Sequence, residues 1–268
     1  MHKTILRTAA AALTLTAALA AQAHNQWLLP STTVLSKPDW VTVDGAVSND
    51  LFVANHFPAN LDNLQVTGPE GVAVKAENQA RLKHRSVFDV NLTQPGTYRI
   101  ALVNSGVFAS WKDKATGQSK RARGTPETIA KEIPADAQEL RVSQSAGRVE
   151  TFVTVGKPSP VKPVGQGLEM ISTASPTDNV KGEKSTFTLL LDGQPAKDVE
   201  VTVTAGNTVY RDKLDELKVK TDANGQFSVT WPSAGMYWLD ASVRDDKTTV
   251  PQAKERRVSY AATLEVAP

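Results

Sequence analysis

Period-two alternation of apolar and polar residues, broken repeatedly by Gly, Pro, Asp and Asn, runs along nearly the whole chain and confines it to antiparallel β structure. Val41, Val43 and Val47 alternate with Thr42, Asp44 and Ser48, and Tyr98, Ile100 and Leu102 follow a Gln94-Pro95-Gly96 turn. Gly68-Pro69-Glu70-Gly71 separates Leu64-Gln65-Val66 from Val72-Ala73-Val74 as a hairpin connection would. The same grammar returns later. Phe187, Leu189 and Leu191 precede an Asp192-Gly193 turn, Val199, Val201 and Val203 alternate, and Asp222-Ala223-Asn224-Gly225 joins Leu217–Lys220 to Phe227–Thr230. Tyr237-Trp238-Leu239 and Tyr260–Val266 supply the last strands, giving a second unit with the strand spacing of a small sandwich.

The predicted organisation is all-β, with two antiparallel β-sandwich domains of Ig-like or transthyretin-like kind: 24–157 and 167–268, joined across 158–166. Pro158, Pro160 and Pro163 suit a stiff linker there. A strand over Glu150–Val155 closes the first domain. Its one irregular excursion runs from Trp111 to about Gly147, where Lys112, Lys114, Lys120, Arg121 and Arg123 read as a polar loop and Thr125–Glu132 as a short capped helix with Pro126 at its first position.

Residues 1–23 form a secretory signal: Lys3 and Arg7, then the apolar run Thr8–Ala20, then the small-x-small site Ala21-Gln22-Ala23. The expected mature chain begins at His24 and is periplasmic, and no later stretch is long and apolar enough to span a bilayer. Removing Lys3 and Arg7 from 30 Lys and Arg leaves 28, against 28 Asp and Glu, so no global field gathers nucleic acid. With no cysteine, disulfides and thiolate metal sites are excluded.

The processed start at His24, Trp27-Leu28-Leu29-Pro30, the Gly-Pro-Glu-Gly turn, Gly167-Leu168-Glu169-Met170, Leu191-Asp192-Gly193-Gln194-Pro195 and Thr221–Gly225 leading to Ala234-Gly235-Met236-Tyr237-Trp238 occur in a fixed order. In that order they resemble a bacterial family known as domain of unknown function 4198, over essentially the whole mature chain. The resemblance implies a periplasmic component of nickel or cobalt uptake. The second domain alone is also similar to transthyretin-like folds attached to carboxypeptidases and surface adhesins.

Three histidines remain after cleavage, His24, His56 and His84, all in the first domain. An N-terminal histidine offers its free amine and ring Nδ1 to one metal in a six-membered chelate, and a second imidazole completes a three-nitrogen site that suits Cu(II) and Ni(II), with Zn(II) possible, to which the family resemblance adds Co. Period two places His84 with Leu82 and Phe88, facing inward, while Arg81, Lys83 and Arg85 face solvent. His56, in a loop-like Asn55-His56-Phe57-Pro58, ranks ahead of His84 because cations beside His84 oppose another cation. Glu169 and Met170 at the domain junction are better read as packing than as ligands. Trp27, Trp111, Trp231 and Trp238 are read as core.

No nucleophilic serine motif, phosphate-cradling loop or paired-carboxylate signature stands out, so no catalytic residue is assigned and no enzyme is expected. Two functions of different class follow. One is a metal-binding accessory that delivers a divalent transition metal to an inner- or outer-membrane transporter, with His24, His56 and His84 as metal ligands. The other is a metal-independent β-sandwich module that binds an envelope protein or glycan.

Overall fold

The computed structural model describes residues 25–268; the signal segment and His24 lie outside the described residues. The first half carries β1 (Asn25–Pro30), β2 (Val34–Leu35), β3 (Asp39–Ser48), β4 (Phe57–Pro58), β5 (Leu64–Thr67), β6 (Ala73–Val74), β7 (Ala76–Arg81), β8 (Ser86–Leu92), β9 (Gly96–Lys112), β10 (Ser119–Gly124), the helix α1 (Pro126–Glu132) and β11 (Gln138–Val155). The second half carries β12 (Leu168–Ser172), β13 (Lys184–Leu191), β14 (Gln194–Pro195), β15 (Glu200–Ala205), β16 (Leu217–Lys220), β17 (Gln226–Thr230), β18 (Gly235–Asp245) and β19 (Glu255–Val266). Among the described residues no helix is long and apolar enough to cross a membrane.

These strands make three sheets. A five-stranded sheet runs β1-β3-β8-β7, with β4 also on β3, and a four-stranded sheet runs β12-β13-β14, with β17 also on β13. Between them lies a ten-stranded sheet, β16-β15-β18-β19-β11-β9-β5-β6, with β10 on β9 and β2 on β11. The large sheet belongs to both halves. Its central join is parallel, Ser143–Thr151 of β11 against Glu255–Thr263 of β19, an exception to the otherwise antiparallel expectation that β2 shares where it meets the end of β11.

Side-chain alternation explains how one sheet serves two cores. Val149, Val153 and Val155 of β11 and Ala261 of β19 face the five-stranded sheet and pack with Val41, Val43, Phe88 and Tyr98. Phe152 of β11 and Val258, Tyr260 and Ala262 of β19 face the other way, against Met170, Phe187, Phe227 and Trp231. The end of β11 and the centre of β19 are therefore covered on both faces, and every residue from Arg148 to Val155 is buried.

Both halves use the same corner. The Tyr98 hydroxyl donates to the Gln94 carbonyl at 3.0 Å and accepts from the Gln94 N–H at 2.9 Å. The Tyr237 hydroxyl repeats this with the Ser233 carbonyl at 2.9 Å and N–H at 3.2 Å. A glycine two residues before each tyrosine, Gly96 at φ 131° and Gly235 at φ 130°, lets the chain turn into the strand. At Gly96 a Cβ would also come within 2.5 Å of Pro69 Cγ and 2.8 Å of Ser159 Oγ, so only glycine fits.

Residues 158–165 have no regular secondary structure, yet they are fastened to the first half. Ser159 and Thr97 exchange side chain–backbone hydrogen bonds at 2.9 and 3.2 Å, and Arg99 Nη1 donates to the Lys162 carbonyl at 3.0 Å. The excursion after Trp111 is not an irregular loop. β9 and β10 pair from Val107–Gly124 to Lys112–Ser119, and β11 already begins at Gln138, so the basic run lies on a hairpin arm of the large sheet. The capped helix is present: the Thr125 hydroxyl accepts from the Thr128 N–H at 3.3 Å and Pro126 opens the first turn.

Candidate functional site

His56 and His84 meet at one corner of the five-stranded sheet. His56 stands just before β4, half-buried, with its ring 4.0 Å from that of Phe57 between centroids. His84 lies in the reversal between β7 and β8, where the Leu82 N–H donates to the Arg85 carbonyl at 2.9 Å. The inward orientation expected for His84 is therefore incorrect. Arg81–Val87 is not one strand; it folds back at Leu82–Arg85, the alternation is interrupted, and Leu82 and His84 are both exposed while Phe88 on β8 is buried. Arg85, expected to repel a metal there, is engaged by Asp44 at 3.2 Å, which reduces its field at His84.

The turn places His84 Nδ1 3.0 Å from the His56 carbonyl oxygen. A carbonyl only accepts, so Nδ1 carries the proton in this contact and the neutral ring presents the lone pair of Nε2. That is the arrangement by which a backbone carbonyl orients a metal-binding imidazole. Asn25, the first described residue, pairs with Ser48 on one side of β3, while Phe57 pairs with Val47 on the other. Asn25 and His56 thus flank the same end of β3, two inter-strand spacings or about 10 Å apart. Among the described residues no group of three or more His, Asp or Glu is assembled to hold a metal ion.

A second cleft, about 380 Å³, opens at the start of β1 and is lined by Asn25, Gln26, Trp238, Glu216, Asp240 and Arg257, among others. Burial pushes the Asp240 carboxyl up to about 6, opposed by Arg257 and reinforced by Glu216. Nothing in the sequence around Leu239-Asp240-Ala241 marks this carboxylate apart from a place in an alternating strand.

Sequence reasoning also missed a buried ionic cluster on the large sheet beneath residues 160–170. Glu150, fully buried, has its Oε2 3.3 Å from Arg99 Nε and 3.6 Å from Arg148 Nη1, and its Oε1 accepts from the Tyr260 hydroxyl at 2.7 Å. The Arg99 Nε contact is short enough for an ion pair but too misaligned for a hydrogen bond. Burial pushes the Glu150 carboxyl upward while the two guanidinium groups and Tyr260 pull it back; burial also holds the Tyr260 hydroxyl well above its usual range. Glu169 is consumed as well: its oxygens accept the N–H groups of Val164 at 2.6 Å and Gly165 at 2.7 Å, with Arg99 Nη1 at 3.9 Å. Glu169 fastens the connecting segment and Met170 is core, as the packing reading of that pair expects. Trp27, Trp111 and Trp231 are core too, and Trp238 is part-buried with its indole N–H on the Gln26 carbonyl at 3.0 Å.

No curated protein matches the chain. Solved structures similar to it include the D0-D1 domain of intimin, at 14% identity over 89% of this chain and 97% of that one with a TM-score of 0.22. The FN1-FN3 domains of chicken CNTN1 match at 8% identity over 90% and 98% of the two chains with a TM-score of 0.25. The Yersinia pseudotuberculosis adhesin InvE matches at 13% identity over 88% and 58%, with a TM-score of 0.23. The β-sandwich assignment rests on the sheets and their two cores. The sequence profile of the family described as "Domain of unknown function (DUF4198)" matches residues 21–245, most of the chain, and the protein is a member of that family.

Proposed function

We propose that the mature protein is a periplasmic binder of a divalent transition metal, Ni, Co or Cu, that acts as an accessory to metal uptake and hands its cargo to a membrane transporter. The observation that carries this reading is the 3.0 Å contact from His84 Nδ1 to the His56 carbonyl, which leaves Nε2 of an exposed imidazole as a donor. Its position supports the reading further. Signal cleavage after Ala23 would make His24 the residue that precedes Asn25, and Asn25 lies at the end of β3 that His56 flanks. His24 supplies the chelate in this proposal, and His84 or His56 supplies the third nitrogen. The donor set is all nitrogen on a chain without thiolates, which favours borderline divalent ions over Mg or Ca.

Calorimetric titration of the processed protein with Ni, Co and Cu tests the proposal against a variant carrying one extra residue before His24, which turns the chelating amine into an amide. The expected result is one metal per chain for the processed form and at least about tenfold weaker binding for the extended form. Affinity should fall steeply below about pH 6, where protons compete for the amine and imidazoles. Equal binding by both forms overturns the terminal chelate.

A further inference from the structure

Beyond the edge of β1 the large sheet continues as an arm with one sealed face and one bare face. The sealed face carries Val107, Ala109, Trp111, Ala122 and Val142, covered by Ile129 of α1 and by Val250 and Ala253 of the segment before β19. Alternation sends their neighbours to the other side. There Arg121 and Arg141 flank Ser110, Arg123 and Ser143 flank Phe108, and the row crosses the parallel join from Ser145 to Arg257 and on to Arg244. Two concavities lie end to end on this face, about 500 Å³ around Arg123, Arg244 and Arg257 and about 240 Å³ around Lys112, Arg121 and Arg141, with Phe108 lining both. From Asn104 to Lys112 the groove extends about 27 Å at the usual rise of a strand.

The charge is local, and most of it is uncommitted: Lys112 pairs with Glu139 at 2.6 Å and Arg257 acts on Asp240, while the other four cations are free of such partners among the described residues. Each concavity has three cationic side chains against one carboxylate, Glu255 in the larger and Glu139 in the smaller. Arg121, Arg123, Arg141 and Arg244 make no ion pair or side-chain hydrogen bond among the described residues, whereas Arg99, Arg148 and Arg256 are each held by carboxylates. The floor is small and polar: Ser143, Ser145, Gly147 and Ser259. Phe108 is 38% exposed between the two basic ends.

We propose that this groove binds an acidic glycan, a hydroxyl-rich chain bearing phosphate, sulfate or carboxylate groups. Guanidinium forks match oxyanions in bidentate fashion, serine hydroxyls both donate to and accept from sugar hydroxyls, and the Phe108 ring offers a flat apolar surface to a sugar face. A peptide gains no strand pairing on this floor, because β9, β11 and β19 are each paired on both sides. Single-stranded nucleic acid would find one exposed aromatic ring, Phe108, since Trp111 beside the smaller concavity is buried in the sealed face, whereas its binding channels use several.

A fluorescently labelled heparin hexasaccharide is the probe, titrated into the processed protein at about 50 and about 300 mM salt, beside neutral dextran and poly-aspartate of equal charge. The expected result is saturable heparin binding that weakens with salt, no dextran binding, and weaker binding of poly-aspartate. The combined Arg123→Ser, Arg244→Ser and Arg257→Ser variant should lose at least about tenfold in affinity. The matching Lys variant should fall between, because it keeps the charge and loses the fork, while Arg81→Ser, outside the groove, should bind like the parent. If the triple variant loses its thermal transition, Arg123→Ser alone at the rim gives the same reading with a smaller loss. Absence of heparin binding, undiminished binding by the folded serine variants, or poly-aspartate binding as tight as heparin would each overturn the proposal.

Discussion

Arg99, Arg148, Glu150 and Glu169 crowd together beneath the connecting segment, and His56 and His84 meet at an open corner of the five-stranded sheet. Both are clusters of titratable groups, yet their chemistry is spent differently. In the buried cluster every charge is opposed by a neighbour or used to fix backbone, with Glu150 and Glu169 at zero exposure and Arg99 at 5%. Such groups cannot turn to a ligand without leaving a bare charge in the interior. The histidine corner contributes little to the core, so its imidazoles can change partner without unfolding the chain. Strong electrostatics thus mark the structural site here, and weak structural commitment marks the functional candidate.

The largest expected effect comes from breaking the first member of that comparison. Glu150→Gln keeps the shape and removes the charge facing Arg99 and Arg148, leaving two buried guanidinium groups under-compensated. We expect a loss of about 3–5 kcal/mol in denaturant unfolding, and a variant as stable as the parent would show the cluster to be wetter than its burial implies. The effect should be felt in both halves, because Tyr260, which donates to Glu150, belongs to the second core.

Asp240 sharpens the comparison, being a part-buried carboxylate that Arg257 opposes without closing an ion pair. Its folded value of about 6 lies above the ordinary 3.8, so between those values the folded state holds the proton more tightly than the unfolded chain. Stability therefore falls as pH rises through that window, by up to about 3 kcal/mol, and is not regained above it. Asp240→Asn should remove this loss: more stable than the parent at pH 7, equal to it near pH 3.5. A parallel pH dependence of the two proteins would mean that the carboxylate is solvated.

The two tyrosine corners come next. Tyr98→Phe and Tyr237→Phe each delete a hydroxyl that bonds backbone four residues earlier, and each should cost about 1 kcal/mol. Similar losses would show that the two halves rely on the corner alike; a loss confined to Tyr237 would mean that the many other fastenings of the first half make its corner redundant.

Much of this architecture was legible because it is local. The alternating valines of β3 and β15, the Asp-Gly and Asn-Gly turns and the Thr125–Glu132 cap each announce themselves within a few residues. The arm was not legible because β10, Ser-Lys-Arg-Ala-Arg-Gly, has one apolar side chain and buries only Ala122. The parallel join was illegible for a different reason: Arg148 meets Tyr260 across more than a hundred residues, and no local pattern encodes such a partner. The ionic cluster inherits that silence, since its members come from β9, β11, β12 and β19. At the histidine corner the residue types were readable, but the orientation of His84 depended on a four-residue reversal that period two overlooks.

The smallest expected effect on stability tests the other side of the comparison. His84→Ala removes an exposed ring whose one hydrogen bond among the described residues is to the His56 carbonyl, a group that water can satisfy in its place. The cost in unfolding free energy should be under about 0.5 kcal/mol. His56→Ala removes a half-buried ring packed on Phe57 and should cost somewhat more, about 0.5–1 kcal/mol. Metal affinity should follow another order. If Nε2 of His84 is a principal donor, His84→Ala weakens Ni or Cu binding at least about tenfold, and His84→Gln, which can still reach the carbonyl through its amide N–H, restores stability without restoring binding. His56→Ala, by contrast, keeps the carbonyl that orients His84 and should weaken binding less. Reversal of that order would make the His56 ring the third ligand and reduce His84 to a turn residue. A loss of stability above about 2 kcal/mol in either variant would place the histidines among the structural groups and dissolve the distinction between the two clusters.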